Sequence, residues 1–165
     1  MNPPPMGADI FPSLFLFRDL SPEHLNVLRP LFIPCEFTAD TVLFVQGDPA
    51  ENLFAVVSGE VMVNFKPDDG PIITVARVQT GSIVGWSAAL GSRRYTSSAV
   101  CTTYTQLLRV RGYDLRRLCI QHPNTGEIFL DRLATVMAER LHSTHDLVFS
   151  LLQLGLTTTV EQGGG

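Results

Sequence analysis

The chain is short of lysine, cysteine, tryptophan and long hydrophobic runs, and each shortage removes a class of explanation. Lys66 is the only lysine; the other eleven of the twelve basic residues are arginine. Against 16 acidic residues this leaves a net charge of −4, so no whole-molecule field favours nucleic acid or an anionic membrane. Cys35, Cys101 and Cys119 are far apart and include no Cys-x-x-Cys pair. They make neither a disulfide framework nor a zinc-site pattern, and reduced, cytoplasmic thiols are the expectation. No stretch reaches about eighteen consecutive apolar residues, so no membrane span is expected. The start, "MNPPPMGADIF", lacks the charged and apolar regions of a secretory signal.

Catalytic signatures are missing too. No GxSxG, HExxH, P-loop or paired-carboxylate pattern occurs, and the expectation is that the chain is not an enzyme. His142 and His145 lie three apart on an expected helix, which reads as a solvated face rather than a metal site. His24 and His122 have no partner set, and nothing singles out a heme ligand.

What is present suits a compact core: 45% hydrophobic and 17% charged residues in 165. Residues 1–9 are proline-rich and expected to be disordered. "DLSPEHLNVLRPLF" reads as a helix with Ser21 as N-cap, Pro22 at the first helical position and Glu23 in the first turn. From Ile33 onward come short β-branched and aromatic runs, about eight in all, separated by Gly47-Asp48, Ser58-Gly59, Asp68-Asp69-Gly70-Pro71 and Gly81. Strands at this spacing predict a sandwich or barrel. "VSGEV" predicts a tight turn with Gly59 in a left-handed conformation. At Gly112 the period changes: "YDLRRLCIQHP" reads as a short helix ending near Pro123. A long helix follows, with Phe129, Leu133, Val136, Met137 and Leu141 on one face. The expected division is a β-roll domain over 10–122, a helical segment over 123–154 and a flexible tail over 155–165. Whether the helix is continuous through 142–146 is left open by the polar run there.

This order of elements resembles the cyclic nucleotide-binding domain of Crp/Fnr-like regulators, kinase regulatory subunits and gated channels. The likeness runs from about Phe17 to Leu141. Its most specific segment is "VQGDPAENLFAVVSGEVMV", with Gly47, Asp48, Phe54 and Gly59 at the family's turn and strand positions. The resemblance implies a mainly β fold: a jelly-roll of about eight strands with N-terminal helices and a long C-terminal helix. It also implies a phosphate-binding cassette, in which backbone N–H groups of a short helix meet a cyclic phosphate. In the family a Glu after a Gly accepts from the ribose, and a later Arg neutralises the phosphate.

Here the cassette is "IVGWSAALGSRRYTSSAV", residues 83–100. Gly85 matches the Gly, but Trp86 stands at the Glu position. Ser87 and Ala88 fall in the short-helix turn. Counting back from "CTTYTQL" puts Tyr95 at the usual Arg position, preceded by Arg93 and Arg94, and a loop one residue longer or shorter puts Arg94 there instead. Ser97 and Ser98 lie where small or hydroxyl residues line the pocket, and strand alternation puts Thr96 with Ser98 and opposite Ser97. The expected ligand-binding set is therefore Gly85, Trp86, Ser87, Ala88, Arg93, Arg94, Ser97 and Ser98, with Arg94 favoured for the anion. Losing the Glu removes a charge-assisted hydrogen bond of roughly 1.5–3 kcal/mol. Trp86 offers one N–H donor, no acceptor and a broad apolar face, either to stack on a ligand or to fill the space.

Two functions follow from the resemblance. One is a sensor of a small anionic effector, cAMP, cGMP or a similar molecule, that signals through the C-terminal helix and dimerises by it. The other is a degenerate family member serving as a dimeric protein-interaction module with no nucleotide. No recognition helix or basic reading head is seen, so direct DNA binding is not expected.

Overall fold

A computed structural model describes residues 10–140. The expectations for residues 1–9, for His142 and His145, for the helix beyond 140 and for the tail lie outside the described residues.

The described chain starts with a 3-10 turn, Phe11–Ser13, and helix α1, Pro22–Leu28. The N-cap is as expected: the Ser21 hydroxyl accepts from the His24 N–H, Pro22 opens the helix and Glu23 sits in its first turn. Eight strands follow: β1 Ile33–Phe37, β2 Val42–Phe44, β3 Asn52–Ser58, β4 Val61–Phe65, β5 Ile73–Val78, β6 Ile83–Val84, β7 Ser98–Cys101 and β8 Thr105–Arg111. A one-turn helix, α2 Trp86–Ala89, interrupts them between β6 and β7. Helix α3, Gly112–Gln121, comes next, and then α4, described from 123 to 140.

The strands form two four-stranded antiparallel sheets, ordered β1-β8-β3-β6 and β2-β7-β4-β5. This is the jelly-roll that the family resemblance implies, and it accords with the sandwich or barrel read from the strand spacing. The "VSGEV" turn forms with Gly59 at φ +92°, but it is not a hairpin: β3 pairs with β6 and β8, whereas β4 pairs with β5 and β7. The turn is a corner where the chain crosses from one sheet to the other, and a Cβ on Gly59 would lie 2.5 Å from the Tyr104 carbonyl oxygen.

Two cores result, one on each side of the first sheet. Between the sheets lie Phe44, Phe54, Val56, Val61, Val63 and Leu107. On the outer face, Leu53, Ala55, Val57, Leu108 and Val110 meet the helices. A strand buried on both faces has no polar side to show, which is why "NLFAVVS" reads as an almost unbroken apolar run. The helices cover the outer face with an aromatic cluster. Phe17 lies 4.9 Å from Phe32 and 6.1 Å from Phe129, centroid to centroid. The stripe expected on the long helix points into this same core: Phe129, Leu133 and Val136 are buried there and Met137 packs against it.

Candidate functional site

The cassette is shaped by backbone constraints that only a few residues satisfy. Gly85 caps α2 at φ +82°, and a Cβ there would come 2.6 Å from the Asn52 carbonyl oxygen. Further on, residues 93–95 run antiparallel to 47–50: Ala50 N–H bonds to the Arg93 carbonyl, Tyr95 N–H to that of Asp48, and Gly47 N–H to that of Tyr95. At the far end of α2, the Arg116 guanidinium donates to the Ala88 carbonyl at 2.7 Å and ties the cassette to α3.

Extended backbone turns alternate side chains to opposite faces, and here that settles where the arginines go. Tyr95 points inward. Its ring stacks on Phe44 with centroids 3.8 Å apart and planes 13° from parallel. Its hydroxyl donates to the Asn52 carbonyl at 2.7 Å and accepts from the Asn52 N–H at 2.9 Å. Arg94 therefore points out, and its guanidinium donates to the Gly47 carbonyl at 2.6 Å from an exposed position. Arg93 is exposed as well.

A cavity of about 330 Å³ opens between the cassette, the second sheet and α4, at the small end of the roughly 300–1,000 Å³ usual for ligand sites. Its wall is mostly apolar: Phe44, Val63, Phe65, Val75 and Val84, with the Trp86 indole at one side. Ser87, Thr96 and Ser97 add hydroxyls. Of the expected set, Gly85, Trp86, Ser87 and Ser97 line it; Ala88, Arg93, Arg94 and Ser98 do not. Ala88 is buried on the inner side of α2. Ser98 is occupied elsewhere, its hydroxyl accepting from the Gln46 N–H at 2.8 Å. Thr96 and Ser97 share the cavity despite being adjacent, because β7 begins only at Ser98 and the alternation does not yet apply.

The cation in this cavity comes from a place the sequence reading did not consider. Arg140, on α4, lines it, lies 5.5 Å over the Trp86 ring and donates to the Ile83 carbonyl at 2.6 Å. Burial lowers its pKa from the ordinary arginine value to about 10, which still leaves it charged at neutral pH. A signal was there: Arg140 follows Phe129, Leu133 and Val136 at spacings of four, three and four, so a charge sits where the apolar stripe would continue. No Asp or Glu side chain lines the cavity among the described residues.

Other chemistry is sparse. Burial raises the thiol pKa values of Cys101 and Cys119, which keeps both protonated and poorly nucleophilic. Among the described residues no group of three or more His, Cys, Asp or Glu could hold a metal, and no helix is long and apolar enough to cross a membrane.

A two-sheet roll with a glycine-capped one-turn helix over a cavity, closed on one side by α4, defines a class of β-roll ligand-binding domains. Residues 34–122 match the family model for the cyclic nucleotide-binding domain. The chain belongs to that family. It is homologous to CRP-like regulators: it is 24% identical over 162 residues to the CRP-like cAMP-activated global transcriptional regulator of Mycobacterium tuberculosis, covering 90% of this chain and 70% of that protein. To the global nitrogen regulator of Synechococcus elongatus it is 30% identical over 124 residues, covering 74% of this chain and 54% of that one. Among solved structures, a cyclic nucleotide-binding domain from Methylobacillus flagellatus superposes with a TM-score of 0.75 at 26% identity, covering 86% of this chain and 79% of that chain.

Proposed function

We propose that the chain is a small-molecule-sensing regulatory module that takes an anionic effector into the cassette cavity and signals through α4. The observation that carries this reading is that one cavity is walled jointly by the cassette and by Arg140 of α4. A ligand there touches the roll and the helix at once, so its binding energy depends on where the helix sits. That is the requirement for a population shift. A fully effective switch needs a differential affinity of about 5.5 kcal/mol between the two placements. The relatives named as cAMP-activated support an effector of the cyclic nucleotide kind. Gly85, Trp86, Ser87 and Ser97 form the ligand-facing part of the expected set, and Arg94 serves the site indirectly by pinning the 93–95 segment to Gly47.

Trp86 is the only tryptophan in the sequence, so its fluorescence reports the cavity directly. Titration with cAMP, cGMP and cyclic dinucleotides, followed by Trp86 emission and calorimetry, is expected to give saturable one-to-one binding with at least one effector. Mass spectrometry of small molecules carried through purification widens the search beyond nucleotides. No binding by any of these routes would overturn the sensor.

One observation favours the second reading, a protein-interaction module without a nucleotide. The resemblance puts Trp86 at the family's Glu position, and Tyr95, not Arg94, is the side chain of its segment that turns inward, with its hydroxyl already used by Asn52. A silent fluorescence titration together with a self-associating chain supports that reading.

A further inference from the structure

We propose that a second cavity, at the start of β3, binds a small zwitterion, an apolar α-amino acid. This cavity of about 400 Å³ lies where the turn after α1 meets the start of β3, the end of β8 and the first turn of α3. It shares no lining residue with the cassette cavity, so the inference is independent of the function proposed above.

Arg109 is the residue that calls for a ligand. It lies on β8, inside its sheet, between Ile33 of β1 and Phe54 of β3. Its side chain is half-buried, yet among the described residues none of its N–H donors meets an acceptor. No buried polar side-chain atom among the described residues lacks a partner, so those donors open into the cavity. An anion there replaces the water that a half-buried guanidinium has lost. Arg111, two residues on and on the same face of β8, is already matched: its Nε donates to Asp114 at 3.3 Å. The remaining charge on the cavity wall is Glu51, whose carboxylate makes no hydrogen bond or ion pair among the described residues. Setting the Arg111–Asp114 pair aside leaves one positive and one negative group that do not bond each other.

A ligand carrying a carboxylate and an ammonium group satisfies both. Its carboxylate oxygens accept side by side from Arg109, and its ammonium donates to Glu51. A plain anion would meet Glu51 as a like charge, and a plain cation would meet Arg109. The backbone carrying the acid is fixed: the Glu51 carbonyl accepts from the Gly112 N–H at 2.9 Å, and both backbone groups of Asn52 are held by the Tyr95 hydroxyl. The site therefore loses little freedom on binding. Pro30, Leu31 and Ile33 supply an apolar wall. Ile33 is 50% exposed, and a hydrocarbon side chain of the ligand would cover it.

The test is calorimetric titration of the full chain with L-leucine, L-isoleucine, L-valine and L-methionine, and with the deaminated and decarboxylated analogues of whichever binds (for leucine, isocaproate and isoamylamine). At least one amino acid is expected to bind one-to-one, and both of its analogues to bind roughly tenfold or more weakly. Arg109→Gln and Glu51→Gln are each expected to weaken the amino acid by a similar factor. Glu51→Gln is expected not to weaken the deaminated analogue, which has no ammonium for Glu51 to hold. Thermal unfolding checks both variants. Glu51 is exposed, so if Arg109→Gln does not fold, the Glu51→Gln titrations decide. No binding by any of the four amino acids, a deaminated analogue that binds as well as its parent, or binding that survives both substitutions overturns the proposal.

Discussion

Tyr95 holds two backbone groups of Asn52 with one hydroxyl and lies flat on Phe44. Tyr95→Phe keeps the stack and strips both hydrogen bonds. An unsatisfied buried polar group costs about 1–3 kcal/mol, so the variant is expected to lose about that much stability in urea denaturation, with an unchanged m-value. Burial raises the Tyr95 pKa, so the phenol stays neutral in the physiological range. Arg140 behaves as a fixed charge over the same range. Its folded pKa, about 10, lies below its ordinary value, so the group is protonated in both folded and unfolded chains at neutral pH. The folded state gains stability from losing that proton only above about pH 10. Affinity for a permanent monoanion is therefore expected to be flat between about pH 6 and 9; a change there in calorimetric titrations would point to another titrating group. At this scale the sequence was legible where family spacing marks a position, as at Gly85 and Trp86. The outward turn of Arg93 and Arg94 was not legible there, because which face an extended segment turns inward depends on what it packs against.

The corner between β3 and β4 shows how an element boundary is held. Glu60 accepts from Arg77 at 2.9 Å, from Gln79 at 3.1 Å and from Thr102 at 2.8 Å, while its backbone N–H reaches the Thr103 hydroxyl. Hydrogen bonds from Gln79, Thr102 and Arg77 hold its carboxyl below the ordinary 4.5. A depressed carboxyl contributes stability above its unfolded pKa and loses it as pH falls through the folded value. The protein is expected to lose stability on acidification below about pH 4.5, and Glu60→Gln to show a shallower loss over that window in pH-dependent thermal unfolding. Equal slopes would show that other carboxylates govern the acid limb. Elements were the most readable scale of this chain: the Ser21 cap, the strand runs and the return to helical period at Gly112 all follow from local preference. The "VSGEV" corner was readable as a turn but not as a sheet crossing, since the same left-handed glycine serves a hairpin and a corner alike.

Across the whole molecule, α4 has two faces with different uses. Phe129, Leu133 and Val136 belong to the outer core, so they are not available for pairing with another copy. Leu130, Ala134 and Ala138 repeat at a spacing of four on the exposed side, and this is the face through which a dimer would form. Sedimentation velocity is expected to show a concentration-dependent dimer, with Leu130→Glu shifting it to monomer and leaving thermal stability nearly unchanged. A monomer at every concentration would remove dimerisation from the functional reading. A ligand-bound sample is expected to show slower hydrogen exchange in α4 than an unliganded one, since the cavity is walled by both the roll and that helix.

The sequence by itself determined a strand-rich sandwich or barrel with its turns and flanking helices, because those follow from short-range periodicity and from backbone conformations that few residues adopt, while the jelly-roll and the position of the cassette were legible only through the family resemblance. Only the tertiary structure decided what fills the cassette. Tyr95 packs on Phe44 and thereby turns Arg94 outward, and the helix placed against the roll brings Arg140 to a cavity whose other walls lie some forty to a hundred residues earlier in the chain. The break in the apolar stripe at Arg140 marks a charge on the packed side of the helix, but not which part of the roll it meets, so its place at the cavity was decided only by the packing of the helix against the roll.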